Sequence, residues 1–199
     1  MATRNAWLVV RSYRHVTDNQ PILKGEFVKR KKAAAIVTGF LLFSAFSMLA
    51  SQAGAQNKVE GKLEVKGKPI AMTQVYAYAV EGFFDKKKQD VTVLFCDAAV
   101  PATAVRDYFA RKALVDAGKL HCVQQVINAE KQVINFEVRD NRFGARQPGG
   151  GSTEHVFEAR TFDGKTIAGR SRTKSPQTSF DDVPYAYDMT FSAAIEPKK

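Results

Sequence analysis

The sequence predicts a mainly β domain, and three observations carry that prediction. From residue 56 onward, apolar side chains return at every second position in segment after segment. Those segments are rich in β-branched and aromatic residues, which suit a pleated, half-buried surface. Between them stand Gly, Asn and Asp, residues suited to sharp turns. About eight such strands with one inserted α-helix predict an antiparallel β-sandwich, with a β-barrel as the alternative.

The first strand places Val59, Leu63 and Val65 on one face with Gly61, and Lys66-Gly67-Lys68-Pro69 then turns the chain. A long second strand, Ile70 to Val80, carries Tyr76, Tyr78 and Val80 on one face and Val75, Ala77 and Ala79 on the other. Being apolar on both faces, it belongs in the middle of a sheet. Phe83-Phe84-Asp85 and the three lysines 86–88 read as a connection with solvated lysines, and Asp90 to Cys96 as the third strand. Pro101 opens the helix, since proline is tolerated in a first turn. Val105, Tyr108, Phe109 and Ala113 are its expected buried stripe, Arg106, Arg111 and Lys112 its wet side, and Gly118 its stop.

Leu120 to Ile127 and Gln132 to Arg139 then form a hairpin, with Ile134, Phe136 and Val138 turned inward. Residues 144–152, with Gly149, Gly150 and Gly151, read as a flexible connection. Two further strands, His155 to Thr161 and Thr166 to Thr173, meet at Asp163-Gly164, a favoured hairpin dipeptide. In the last strand Tyr185, Tyr187, Met189, Phe191, Ala193 and Ile195 alternate with Asp188, Thr190 and Ser192.

Ahead of this domain the chain has the three parts of a secretory signal: Lys29-Arg30-Lys31-Lys32, an apolar run from Ala33 to Ala50, and Ala53-Gly54-Ala55. As a helix the run would span about 27 Å, just short of a hydrocarbon core of about 30 Å. Length alone therefore leaves both a cleaved signal and a membrane anchor open. Thr38, Gly39, Ser44 and Ser47 dilute the run, and Ala53 and Ala55 fit an A-x-A site, so cleavage is expected before Gln56. Residues 1–27 show no helical or strand period. Given a bacterial source, Val28 is the expected initiator and the prefix is untranslated; the alternative is a disordered cytoplasmic prefix on an anchored protein. The organisation is thus a prefix (1–27), a signal peptide or anchor (28–55) and an exported β-rich domain (56–199), periplasmic or extracellular.

The formal charge of +10 looks like a nucleic-acid signal until it is divided. Residues 1–55 hold 8 Lys+Arg and 2 Asp+Glu, while residues 56–199 hold 22 and 18, leaving the domain only +4. That is an ordinary soluble surface, and no nucleic-acid partner is expected. Membrane contact is expected only through the export segment.

Cys96 and Cys122 both lie in the domain and are candidates for a disulfide, which an oxidising compartment permits. It would close a loop of about 25 residues and contribute about 3 kcal/mol. The alternative is that each packs free in an apolar strand as a small hydrophobe. A metal site would need ligands brought together, and the domain offers only His121 and His155 beside the cysteines. Because His121 and Cys122 are adjacent, they point to opposite sheet faces, so no metal or other cofactor is expected. No G-x-S-x-G marks a nucleophilic serine, and the 149–152 loop lacks the ending of a phosphate loop. Asp181-Asp182 read as a turn, and Tyr76, Tyr78, Tyr185 and Tyr187 as core residues before ligand-facing ones.

The export signal, the opening strand with Gly67-Lys68, the helix ending at Gly118-Lys119-Leu120, and Phe162-Asp163-Gly164-Lys165-Thr166-Ile167-Ala168-Gly169 together resemble an uncharacterised group of exported bacterial single β-domain proteins. The resemblance spans most of the domain and implies a bacterial, exported fold; it assigns no activity and no catalytic residues. The functional expectation is an exported, non-enzymatic β-domain that binds an envelope or extracellular partner or ligand. Two alternatives stand beside it: an exported enzyme whose site is assembled only in the fold, and a structural envelope component.

Overall fold

The computed structural model describes residues 57–198. The prefix 1–27, the segment 28–55 with Ala53 and Ala55, and Gln56 lie outside the described residues. Among those described, eleven strands and one α-helix follow in the order β1 (Lys58–Val65), β2 (Lys68–Ala71), β3 (Gln74–Glu81), β4 (Gln89–Cys96), α1 (Tyr108–Asp116), β5 (Cys122–Ile127), β6 (Val133–Arg139), β7 (Gly149–Gly150), β8 (His155–Phe162), β9 (Thr166–Thr173), β10 (Gln177–Thr178) and β11 (Pro184–Glu196). The fold is therefore mainly β. No described helix is long and apolar enough to cross a membrane.

The strands form one curled sheet, a half-barrel, with β11 as its shared element. β11 pairs antiparallel with β1 over residues 185–192 and with β9 over 188–194. At its end Ile195 and Glu196 run parallel to Ala77 and Tyr78 of β3. From β3 the order continues through β4, β5, β6 and the two-residue β7, while β8 hangs on β9 alone. The parallel contact makes the sheet mixed, which corrects the all-antiparallel expectation. It arises because β11 outruns β1 and its last residues reach a strand that starts on the other side of the curl.

The expected second strand is in fact two. At Met72-Thr73 the chain leaves β2, which pairs with β1, and enters β3, which pairs with β4. The corner is held by Met72 N–H donating to the Gly61 carbonyl at 3.0 Å and Thr73 N–H donating to the Cys96 carbonyl at 2.9 Å. Gly61 itself has φ of 143°, and a Cβ there would lie 2.1 Å from the Asp188 carbonyl oxygen. Only glycine lets β1 lie this close against β11.

Inside the curl, Leu63, Val65, Phe95, Ile127, Ile167 and Met189 are fully buried, each contributing about 1.5–3 kcal/mol of apolar burial. The rings of Phe95 in β4 and Phe191 in β11 meet edge to face at 4.8 Å across this core. A second cluster lies on the outer face of β3, β4 and β5, where Tyr78, Leu94, Val100, Val105, Val115 and Leu120 pack together. This cover explains why β3 is apolar on both faces. Here Cys96 and Cys122 stand directly opposite each other in the β4–β5 ladder, with their sulfurs at bonding distance, 2.14 Å.

The helix departs from the expected phase. Residues 101–107 make turns, and Asp107 is the N-cap, its carboxylate accepting from the Phe109 and Ala110 N–H groups. The buried residues of α1 are therefore Arg111 and Val115, while Phe109 is 78% exposed. Arg111 is drawn inward because the turn before the helix leaves carbonyls in need of donors. Its Nη1 donates to Val105 O at 2.5 Å and its Nη2 to Gln124 Oε1 at 2.9 Å. Gly118, at φ of 64°, ends the helix as expected.

Candidate binding site at the open seam

Between β6 and β8 the half-barrel does not close, since no ladder joins them. The one close aromatic contact across this seam is a parallel stack of the His155 imidazole on the Phe136 ring, with centroids 3.4 Å apart. His155 opens β8 and points into the core; Phe136 sits at the inward position of β6. The strand periods place both, and their meeting depends on the curl of the sheet.

On one side of the stack lies a hollow of about 260 Å³ walled by Phe136, His155, Tyr185, Phe180, Ser179 and the backbone of Gly149 and Gly151. On the other lies a hollow of about 400 Å³ between Lys131 and Gln132 of the turn before β6, the first two residues of β6 and the start of β8, and His155 lines this one too. The connection expected to be flexible forms one rim of the seam. Gly149 and Gly150 pair with Glu137 and Phe136, and Val138 N–H donates to the Pro148 carbonyl at 2.9 Å. The other rim is the turn before β11, where the Ser179 hydroxyl accepts the Val183 N–H and Asp182 takes φ of 56°. Asp181 and Asp182 thus serve the turn, as expected.

Behind the stack runs a buried polar chain. The Ser171 hydroxyl donates to Gln125 Oε1 at 2.5 Å, Gln125 Nε2 donates to the Tyr187 hydroxyl at 2.7 Å, and that hydroxyl lies 2.8 Å from His155 Nδ1. Tyr187 accepts from Gln125, and its own proton finds an acceptor in Nδ1. The remaining proton then sits on Nε2 and faces the Tyr185 hydroxyl at 3.4 Å. This order fixes a neutral imidazole, and burial agrees with it: desolvation lowers His155 from 6.5 to about 4. Burial likewise pushes the Tyr185 phenol up to about 12 and the Tyr187 phenol further still, against the Gln125 hydrogen bond. At neutral pH the His155, Tyr185 and Tyr187 group is uncharged, while Lys131 stands in the wall of the larger hollow. The site offers aromatic faces, phenol and imidazole edges, and glycine backbone, which suits binding by contact and hydrogen bonding.

His121 stands elsewhere. Its Nδ1 lies 3.0 Å from Asp140 Oδ2, out of line for a hydrogen bond, and its Nε2 lies 4.0 Å from Asp97 Oδ2. Burial alone would raise the Asp140 carboxyl, but the Arg142 guanidinium and N–H, together with His121, outweigh it and hold the carboxyl below the usual range. Arg142 grips Asp140 through Nε at 2.8 Å and Nη2 at 2.6 Å. The structure thus pairs Cys96 with Cys122 and keeps His121 and His155 in separate surroundings. Among the described residues no three His, Cys, Asp or Glu side chains gather to hold a metal ion. Tyr78, Tyr185 and Tyr187 are buried as expected, and the Tyr76 hydroxyl accepts the Val100 N–H at 2.9 Å.

Sequence reasoning did not find the seam. One signal was present: Gln125 interrupts the inward file of Val123 and Ile127, and it is fully buried. A buried amide must be hydrogen-bonded, so it announces a polar network in the core. No protein-family model, curated protein or solved structure matches this chain.

Proposed function

We propose that this is an exported, non-enzymatic β-domain that binds an envelope or extracellular partner or ligand in the open seam between β6 and β8. The observation that carries this reading is the pair of hollows meeting at the Phe136–His155 stack, in a place where the sheet could have closed and does not. Concave, mostly apolar sites with a few placed polar groups are where small molecules and peptide segments bind. The seam matches that description, its placed polar groups being His155, the Ser152 and Ser179 hydroxyls and, at the larger hollow, Lys131. Export is supported by the Cys96–Cys122 pair at bonding distance, an arrangement typical of oxidising compartments. The same reading takes the two halves of the curl, facing each other through Phe95 and Phe191, as the layers of a sandwich left open along one side. The resemblance to exported bacterial β-domains agrees with it.

The test is photo-crosslinking in native cells. A benzophenone amino acid at Phe180, on the seam, is compared with one at Lys68, on the opposite edge strand. The reading expects a defined adduct from position 180 and none from position 68. Absence of any adduct at 180, or the same adducts from both positions, rejects the seam as the binding site.

A further inference from the structure

The hairpin between β3 and β4 ends in a tip beside the seam, where Phe83 shares a hollow of about 380 Å³ with Val126, Ile134 and Gly151. Phe83 and Phe84 are each 77% exposed, with their rings edge to face at 5.0 Å. Lys86, Lys87 and Lys88 follow directly. The tip is held rather than loose. Phe83 N–H donates to the Asp90 carboxylate at 2.8 Å, Gly82 N–H to the Lys88 carbonyl at 3.0 Å, and Lys87 N–H to Asp85 Oδ1 at 2.9 Å. A Cβ on Gly82 would meet the Asp85 carbonyl at 2.3 Å, so the turn is built tightly enough to need glycine. Two bare phenyl rings are thus presented outward on a stapled support, where burial of apolar surface would normally hide them.

The charges around the tip are arranged asymmetrically. The acidic groups are Glu81, Asp85, Glu130 and the buried Asp90, which accepts the Phe83 N–H. Asp85 spends one carboxylate oxygen on the turn, Glu130 is paired with Lys88 at 2.6 Å, and Glu81 is shared between Lys86 at 3.6 Å and Lys198 at 3.1 Å. Lys87, at the tip, and Lys131, in the neighbouring turn, have no carboxylate partner among the described residues, and the Lys86 side chain is 85% exposed. What faces outward is therefore two phenyl rings with the Lys86 and Lys87 ammonium groups beside them and the second oxygen of Asp85 among them. Phenyl rings have no polar edge to satisfy, so their natural partner is hydrocarbon, and the lysines beside them suit phosphate at the depth of a headgroup.

We infer that the Phe83-Phe84 tip, with Lys86 and Lys87, docks the domain on an anionic phospholipid bilayer, the rings entering the acyl boundary and the lysines meeting the headgroup phosphates. A protein groove is a different partner class, which the test separates.

The experiment uses the full chain with Phe84→Trp as a fluorescent reporter and Trp7→Phe to remove the one native tryptophan. Vesicles of phosphatidylglycerol mixed with phosphatidylcholine should shift the reporter's emission to the blue and allow brominated lipids to quench it. Pure phosphatidylcholine vesicles should do neither at the same lipid concentration. Because the reporter is local, its response reads the tip however the rest of the chain is held at the vesicle. Lys86→Gln with Lys87→Gln should raise the lipid concentration needed for half response roughly 30-fold. Unchanged emission on anionic vesicles overturns the inference, as does an equal response to neutral ones. A blue shift produced only by lipid-free envelope protein overturns it too, and assigns the tip to a protein partner.

Discussion

His121 and His155 sit in one fold in opposite surroundings. His121, just ahead of β5, has Asp140 and Asp97 carboxylates beside it and an arginine holding one of them. His155, in β8, has two phenols and a phenyl ring, and the titratable groups in hydrogen-bond reach of its ring are tyrosines that burial keeps protonated. The first has carboxylates beside it and lines neither of the seam's hollows; the second lines both hollows and has no carboxylate bonded to it. General acid–base chemistry needs both at one place, a titratable group poised near neutrality and room for a substrate. The separation teaches that the polar residues near the seam are arranged to keep a ring neutral and oriented. The Asp97–His121–Asp140 group ties together the ends of β4, β5 and β6.

Replacing each histidine is the strongest way to break that comparison. His155→Ala removes a ring from the stack and leaves the Tyr187 proton without its acceptor, so it should cost about 3 kcal/mol in urea unfolding. His121→Ala leaves Asp140 still gripped by Arg142 and should cost less than about 1 kcal/mol. Equal losses would mean that the two sites are not different in kind.

The pH dependence sharpens the same point. The folded state keeps His155 neutral down to about pH 4, whereas the unfolded chain takes up its proton near 6.5. Unfolding is therefore coupled to proton uptake, and the associated stability is complete above pH 6.5 and is lost as pH falls toward 4. The loss should approach about 3 kcal/mol, measured as a falling urea midpoint, and should vanish in His155→Phe. Asp140 works in a lower window. Its folded carboxyl is held below 3.8, so its contribution is present above that value and disappears only as pH falls further.

Asp140→Asn should cost about 2 kcal/mol by thermal unfolding, since it leaves the Arg142 guanidinium partly buried without its carboxylate. An unchanged midpoint would mean that the ion pair does not hold the strand ends. Smallest of all is Tyr185→Phe, where the hydroxyl lost makes one long contact of 3.4 Å and stands at the mouth of the hollow. Stability should move by less than about 0.5 kcal/mol, while seam crosslinking from position 180 should change in yield.

The eight long strands were legible because a period of two declares its buried face whatever strand lies beside it. Val59, Leu63 and Val65, or Tyr185 to Ala193, announce themselves without knowledge of their partners. The helix was legible at its end, Gly118, but not in its start or its phase, since Pro101 opens the turns before it and Asp107 caps it. Arg111 is buried for the sake of the Ala104 and Val105 carbonyls, a need that arises only once the preceding turn has formed. The split of the second strand at Met72-Thr73 was hidden because both pieces continue one apolar alternation. The seam was hidden for a deeper reason. Phe136 and His155 each occupy an unremarkable inward position, and nothing in either strand says that β6 will take only the two-residue β7 as its next neighbour or that β8 will pair with β9 alone.

β11 carries one further consequence, in the order of events as the chain is made. Lys58 near the start of the domain pairs with Ser192 near its end, and β9 and β3 lean on the same closing strand. Local hairpins such as β8–β9 can form as they emerge, but the sheet has no middle until the last strand arrives. A ribosome, or a pore that passes the chain from its N-terminus, must therefore release nearly all of it before the two halves can join. Until then the protein stays threadable, and once β11 docks it folds as a whole.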